Sequence, residues 1–432
     1  MIRELINKIN AKQADKRKEK EDGVSQEFAF SNQESFAKPI PSVERAIAPD
    51  IRFKQCSIEL EGGFTNSYEI ILQGDNNFQA KVVTSPKDLA LKRRMLNNPE
   101  AICGINAGFF FFADVASHLP IDGTFNLCVG DGKIVGLPCV NRPALLVSDG
   151  KLTVREIRAR GKISIGDKKI RWHGAHSKKV RDGAVLYNSA CCMIEHRLND
   201  RHKEERFLRD DVNTTPRHSE ITDVIVRANT DGQLIVAEIN TGGGSDFFAG
   251  NFILQMKNDL AQNIRLGDSV VVDMLDDLEL SSIQSAVTIG PKVNHFANES
   301  THQINTDKSL GSHPPFRQKR MARSIIYQDM EGDIHLRIFD GAPKTKNFQG
   351  VTPREAAELI GSNVRWAYHL DPGQSAKLAV STEEEVQTYS NEHYLRLPKR
   401  DQVPALWTPK GSRPTTSALL FFRNKQLAKP KE

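Results

Sequence analysis

The stretch RSIIYQDMEGDIHLRIFDG, residues 323–341, predicts a β-hairpin. Two runs rich in isoleucine flank the dipeptide Glu331-Gly332. Branched and aromatic residues favour strands, and glycine beside a polar residue is typical of the tight turn between antiparallel strands. The stretch therefore predicts two neighbouring strands of an antiparallel sheet.

The same pattern extends over most of the chain. From about residue 51, short runs of apolar residues recur, and several are separated by Asp-Gly, Gly-Asp or Glu-Gly. Helical patterns are few: one covers residues 85–98, and another covers residues 352–363, where Thr352 and Glu355 form a capping-box signal. We therefore expect an α+β fold, a β-rich domain of mixed or antiparallel sheet with a few packed helices.

Composition is that of an ordinary soluble domain. Of the 432 residues, 39% are hydrophobic and 26% are charged, and the net charge of +5 is too small to indicate a nucleic-acid-binding protein.

We expect three parts: a charged N-terminal helix and linker over 1–50, one domain over 51–425, and a basic tail over 426–432. Residues 1–22 carry an apolar helical stripe and predict either a frayed arm or an oligomerisation helix.

The chain lacks the apolar core of a signal peptide and any apolar run long enough to span a membrane. The six cysteines show no zinc-ligand spacing. We therefore expect a cytoplasmic protein with reduced thiols.

Four segments resemble the phosphodiester glycosidase family, whose members hydrolyse sugar–phosphate glycosidic bonds. Residues 105–125 resemble its Asn-Gly-Gly-Phe-Phe segment, and 323–341 resemble its arginine strand and hairpin. Residues 349–380 resemble its helix followed by Leu-Asp-Gly-Gly-Gly-Ser, and 412–422 resemble its last strand. The resemblance implies a phosphodiester-glycosidase-like fold and a hydrolase acting on sugar-1-phosphodiesters.

The chain departs from the family pattern at several matched positions. Pro372 and Gln374 replace two glycines, and His369 replaces an asparagine. Ala342 and Tyr327 replace an arginine and a glycine. These departures leave open a catalytically inactive relative that binds a glycan, nucleotide sugar or phosphodiester.

The candidate catalytic residues follow from the resemblance and from the chemistry of the bond. Arg323 would neutralise the phosphate, because the planar guanidinium binds phosphate oxygens bidentately. Asp371 would stabilise or attack the anomeric carbon, with His369 and Asp340 as further candidates. The expected substrate-binding residues are Asn106, Gly108, Phe110, Asp122, Gly373, Ser375, Arg320 and Arg413.

Each of these residues also has a structural interpretation. Arg323 fits a strand-edge salt bridge, and Asp371, like Asp122 and Asp340, fits a turn aspartate. His369 fits a half-buried strand position, and Asn106 fits a brace for the adjacent turn. In an extended segment, His369 and Asp371 would face the same side.

We expect no cofactor, although turn aspartates leave a Ca²⁺ or Mg²⁺ ion open. The segment NTGGGSD, residues 240–246, is interpreted as a hairpin or glycine-rich loop. The expected partner is a sugar-phosphate or nucleotide-sugar small molecule or a glycan, without a membrane span and with nucleic acid disfavoured. A nucleic-acid-binding or scaffold protein is the remaining alternative.

Overall fold

The computed structural model describes fifteen stretches, all within the compact unit Pro39–Glu432. Expected features at residues 1–22 and 426–432, and at Phe110, Asp122 and Arg413, lie outside the described residues. The described residues are 39–74, 77–109, 124, 126–139, 141–178, 180, 182–190, 194–199, 202–207, 214–274, 278–279, 283–293, 320–341, 350–390 and 415–424.

Strands make up most of the described chain. The helices are α1 (Leu91–Leu96), α2 (Asn258–Ala261) and α3 (Pro353–Ile360), with a 3₁₀ turn at Gly373–Ser375. The strands are β1 (Val43–Ala48), β2 (Ile51–Leu60), β3 (Gly63–Leu72), β4 (Phe78–Leu89), β5 (Ala101–Asn106), β6 (Cys128–Gly130), β7 (Lys133–Gly136), β8 (Arg142–Ser148), β9 (Lys151–Ile157), β10 (Arg160–Ile165), β11 (Lys168–Ala175), β12 (Ala184–Tyr187), β13 (Ile194–Asn199), β14 (His202–Phe207), β15 (Arg217–Ala228), β16 (Leu234–Gly243), β17 (Phe252–Lys257), β18 (Val270–Met274), β19 (Leu278–Glu279), β20 (Ser285–Thr288), β21 (Arg323–Asp329), β22 (Ile334–Asp340), β23 (Val364–His369), β24 (Lys377–Ser381), β25 (Val386–Ser390) and β26 (Thr415–Arg423).

The expected α+β class is wrong, because the described residues form a mostly β structure with three short helices. The six-stranded sheet has the order β1-β2-β3-β22-β21-β23, and the eight-stranded sheet has the order β16-β15-β17-β12-β11-β10-β18-β19. Two five-stranded sheets have the orders β7-β6-β20-β8-β9 and β25-β24-β5-β26-β4, and β13 pairs with β14. Among the described residues, the paired strands are antiparallel except β11 and β12, which pair in parallel.

Two local predictions are confirmed. The hairpin at 323–341 forms as β21 and β22, with Arg323 opposite Phe339 and Tyr327 opposite His335. The capping box of α3 also forms, because the Glu355 N–H donates to Thr352 Oγ1 (3.1 Å) and the Thr352 N–H donates to Glu355 Oε2 (2.8 Å). Both features depend on residues close in sequence, which the chain itself specifies.

The helix expected over 85–98 forms in part, as α1 (Leu91–Leu96), and the first residues of the segment are strand. Residues up to Leu89 belong to β4, which pairs with β26, and α1 begins only at Leu91. Pro86 is tolerated there because β4 is the edge strand of its sheet and does not need every N–H for a ladder. Long-range pairing therefore outweighs the local helical spacing.

The six-stranded sheet separates two apolar clusters. Ile326 and Leu336 face the cluster that includes residues of the β4–β5–β24–β26 region, whereas Ile325 and Phe339 pack with α3. This alternation follows from the two-residue repeat of strands. The sheet therefore presents two different environments to consecutive residues of β21.

The N-terminal boundary differs from the expected one. β1 lies within the segment expected as linker and pairs with β2. Within the described stretches, no helix combines the length and apolar character needed to cross a membrane.

A charged network crosses the α3 side of the six-stranded sheet. His335 Nδ1 lies 3.0 Å from Glu69 Oε1, and His335 Nε2 lies 3.0 Å from Asp329 Oδ2. Ionised carboxylates only accept hydrogen bonds, so His335 must carry a proton on both nitrogens to satisfy both contacts. Its ring also stacks on Tyr327, whose hydroxyl donates to Glu69. The network therefore holds an imidazolium between two strands and the hairpin turn.

We predict that this network makes stability pH-dependent. Burial alone would lower the pKa of His335, but the bonds and charges of Glu69 and Asp329 outweigh it and raise the pKa above 6.5. Its stabilisation is complete below about pH 6.5 and is lost as the pH rises through the raised pKa. The free energy of unfolding of the wild-type protein should therefore exceed that of the His335→Gln variant by about 1–3 kcal/mol in mild acid. In alkali the difference should be smaller. Denaturant titrations of both proteins across this pH range measure the difference in free energy of unfolding. A difference that grows as the pH rises would contradict the prediction.

Candidate functional site

The segments that resemble the family meet around the side chain of Asn106, at the end of β5. Asn106 Nδ2 donates to the carbonyl oxygen of Asp371 at 2.7 Å. Asn106 Oδ1 accepts from Ser324 Oγ at 2.6 Å and from the Lys377 N–H at 3.0 Å. Asn106 is fully buried, so these bonds form away from water. The geometry gives Asn106 a bracing role that joins β5, β21 and the turn before β24.

The Asp371 turn is further fixed by its backbone. The Asp371 N–H donates to Ala107 O (3.2 Å), and the Gly373 N–H donates to Ala322 O (2.8 Å). Asp371, Pro372 and Gly373 are partly exposed, whereas their bracing residues are buried. The turn thus presents a carboxylate-bearing residue at the protein surface on a rigid support.

The glycines and the serine of the candidate site differ in what selects them. Gly373 has φ +68°, and a Cβ there would meet nothing within 4 Å, so backbone conformation selects it. Gly108 is required by packing, because a Cβ would lie 2.5 Å from Val287 Cγ2. Ser375 is buried in the 3₁₀ turn.

Arg323 and His369 lie on the α3 side of the sheet. Arg323 Nε donates to Val351 O at 2.7 Å. The side chains of Arg323 and His369 are both fully buried. Burial, and then the positive charge of Arg323, hold the pKa of His369 well below 6.5, so the imidazole is neutral. His369 ends β23, and the backbone N–H of Asp371 bonds Ala107 on another sheet. The expected pairing of His369 with Asp371 remains a prediction.

The other two described candidates have firm structural contacts. Asp340 is buried, and its carbonyl oxygen accepts from Thr65 Oγ1 at 2.6 Å. Arg320 Nε lies 3.0 and 3.1 Å from the two carboxylate oxygens of Glu355. Arg320 therefore braces the capping box of α3 through its salt bridge with Glu355.

Three residues of this region were not among the candidates. Ser324 orients the Asn106 amide, and Lys377 is a nearly fully buried lysine at the start of β24. Arg142 is buried at the start of β8, with its guanidinium carbon 4.8 Å from the ring centroid of Phe109. For Lys377 and Arg142, the sequence offered one signal: each is a charged residue at the start of an apolar strand. Charged side chains are rarely buried unless they have a partner or a function.

A divalent metal ion and the glycine-rich segment 240–246 were two further features that the sequence suggested. In the part of the chain that is described, no three His, Cys, Asp or Glu side chains form a group that could hold a metal ion. The 240–246 segment ends β16 and continues into a glycine-rich loop, as expected. There the Gly244 and Ser245 N–H groups donate to Thr215 Oγ1, and Ser245 also donates to the buried carboxylate of Asp223.

Comparisons with known proteins give a likeness of fold. No family model and no curated protein matches the chain. A solved hypothetical protein from Synechocystis is similar with a TM-score of 0.57 and 15% identity, over 89% of this chain and 64% of that chain. A candidate exported protein from Burkholderia pseudomallei is similar with a TM-score of 0.50 and 16% identity, over 83% and 74%. This chain therefore spans less than two thirds of the Synechocystis protein.

A third likeness is weaker. The catalytic domain of zebrafish N-acetylglucosamine-1-phosphodiester alpha-N-acetylglucosaminidase, auto-inhibited by its pro-peptide, gives a TM-score of 0.41 and 11% identity. It covers 90% of this chain and 88% of that domain. Likeness at this level does not assign an activity.

We predict that Asn106→Ala destabilises the protein by about 2–4 kcal/mol, because it leaves buried polar partners unsatisfied. Ser324→Ala, which removes only one of the two bonds to Asn106 Oδ1, should lower the free energy of unfolding by about 1 kcal/mol. Chemical denaturation of both variants measures the two losses. Equal stability of Asn106→Ala and wild type would show that Asn106 does not brace these segments.

Proposed function

We propose that the protein is a hydrolase that cleaves the glycosidic bond of a sugar-1-phosphodiester at the Asp371 turn. The supporting observation is the convergence at Asn106 of three of the four segments that resemble the family. A partly exposed aspartate on a braced turn is suited to act on a ligand, because its backbone is fixed while the residue borders solvent.

In the proposed reaction, the bond between the anomeric carbon and the phosphate oxygen breaks. The bonding electron pair leaves with the phosphate oxygen, and the Asp371 carboxylate stabilises or attacks the positively charged sugar carbon. Water then supplies the hydroxyl of the free sugar, and its proton is released. The phosphate product needs charge neutralisation more than a proton.

Arg323 would supply part of that charge neutralisation from within the protein. Its neighbour Ala322 accepts a hydrogen bond from the Gly373 N–H in the Asp371 turn. The Arg323 guanidinium is fully buried, so solvent ions screen its charge little. His369 is neutral and therefore able to accept a proton. In this proposal, Asp371 is the group that meets the sugar, and Asp340 is a second carboxylate at the same end of the sheet.

A ligand-binding protein without hydrolytic activity is the second candidate. The full burial of Arg323 and His369 favours it, because catalytic groups must reach the substrate or its water. Under either proposal the ligand is a sugar phosphate, nucleotide sugar or related glycan in the cytoplasm. Self-association through residues 1–22 is part of the same proposal.

We predict that the wild-type protein releases free sugar from a panel of sugar-1-phosphodiesters and nucleotide sugars. Asp371→Asn should lower kcat/KM by about 10²–10⁴-fold, because it removes the negative charge opposite the developing positive charge. Asp149→Asn is the matched control, since Asp149 is also a turn aspartate but lies exposed at another turn, directly before Gly150. Its kcat/KM should equal that of the wild type.

Calorimetric binding of the same compounds separates the two candidates. Binding without sugar release would support the non-hydrolytic alternative. Equal activity of Asp371→Asn and wild type would remove Asp371 from the reaction.

A further inference from the structure

The positive charge of the chain is concentrated in one segment. Residues 151–179 contain ten lysines and arginines against two acidic residues, whereas the whole chain has a net charge of +5. The remainder of the chain is therefore slightly acidic. A local excess of this size creates a positive potential that a mild net charge conceals.

The structure places part of this excess on one face of a hairpin. β10 and β11 pair antiparallel, and their alternate residues Ile163, Ile170 and Trp172 point into the core. The intervening side chains are exposed on the outer face of the eight-stranded sheet. We call the four exposed cations the basic face: Arg160, Lys162, Lys169 and Arg171.

The basic face carries an unfavourable pair of charges. Lys162 lies directly opposite Arg171 in the antiparallel register, and like charges at such positions repel. Among the described residues, none of the four cations has an ion-pair partner within 4.0 Å. The acidic groups at its border include Asp273, opposite Lys162 on β18, Asp167 in the hairpin turn and Asp268 beside Gly166 of the same turn. The repulsion would be relieved by an anionic ligand that contacts several of these cations together.

We propose that the basic face binds a phosphodiester-linked glycan, so that the polymer, and not only a small sugar phosphate, is the ligand of this protein. Outward side chains recur about every 6.6 Å along a strand, and neighbouring strands lie about 4.8 Å apart. Four cations at this spacing can contact successive phosphates of one chain, and the two arginines can bind them bidentately. The choice of a glycan rests on the proposed function, whereas the preference for a polyanion rests on the basic face itself.

The side chains around the basic face favour a glycan over a nucleic acid. Single-stranded nucleic acids are held largely by bases that stack on exposed aromatic rings. Trp172 points inward, is 1% exposed, and donates its indole N–H to Asp273 O at 2.9 Å. The four cations of the basic face are therefore suited to bind phosphates by charge, and Trp172 does not offer a ring on which bases could stack.

The test compares binding of mannose 1-phosphate oligomers with one, four and eight repeats to the full-length protein. The terminal phosphate of each oligomer is capped with a methyl group, so that even the single repeat is a sugar-1-phosphodiester. Lys162→Gln/Arg171→Gln should weaken binding of the eight-repeat oligomer by about tenfold and reduce its salt dependence by up to about one power per cation removed. The matched control is Lys133→Gln/Arg365→Gln, which removes two exposed cations from β7 and β23. It should bind every oligomer as the wild type does.

The outcomes separate this inference from the proposed function. If the single repeat is hydrolysed but the eight-repeat oligomer binds both double variants equally, the basic face has no ligand role and the proposed function stands. If no oligomer is hydrolysed but the first double variant loses binding, the basic face stands and the proposed function does not. Tighter binding of an RNA or DNA oligonucleotide of equal charge would overturn the glycan assignment. A melting temperature of Lys162→Gln/Arg171→Gln no lower than that of wild type excludes unfolding as the cause.

Discussion

The candidate site depends on one buried amide. Asn106 uses its oxygen for two donors and its nitrogen for the carbonyl of Asp371, so a single side chain fixes three segments from distant parts of the sequence. An aspartate in this position could not donate to the carbonyl, and a leucine could make none of the bonds. The position of Asp371 is therefore a consequence of hydrogen bonding elsewhere, and not of the turn residues alone.

The features that the sequence predicted are those decided by near neighbours. The 323–341 hairpin and the Thr352–Glu355 cap follow from turn and capping chemistry within a few residues. The helix expected at 85–98 forms only from Leu91 to Leu96, because β26, more than 300 residues later, pairs with the residues up to Leu89 as a strand. The α+β class was wrong because the described residues are mostly strand and contain only three short helices.

The candidate site was predicted in part. The family resemblance selected Asn106 and the Asp371 turn, which the structure brings together. Strand alternation separates Arg323 from Ser324, so the residue expected to meet phosphate lies beside Val351 while its neighbour meets Asn106. This division could have been anticipated from the two-residue period. Lys377 and Arg142 are visible in the sequence as charges that open apolar strands, but the extent of their burial depends on packing between distant segments.

The bonds of Asn106 also bear on the order in which the protein forms. Its partners Ser324, Asp371 and Lys377 follow it by 218, 265 and 271 residues, so most of the chain must be synthesised before any of them can reach it. Contacts between such distant residues form slowly, because a large loop must close before they contribute stability. During synthesis, the strand that ends at Asn106 therefore emerges long before its final neighbours. Until then its amide must be solvated or held by other partners.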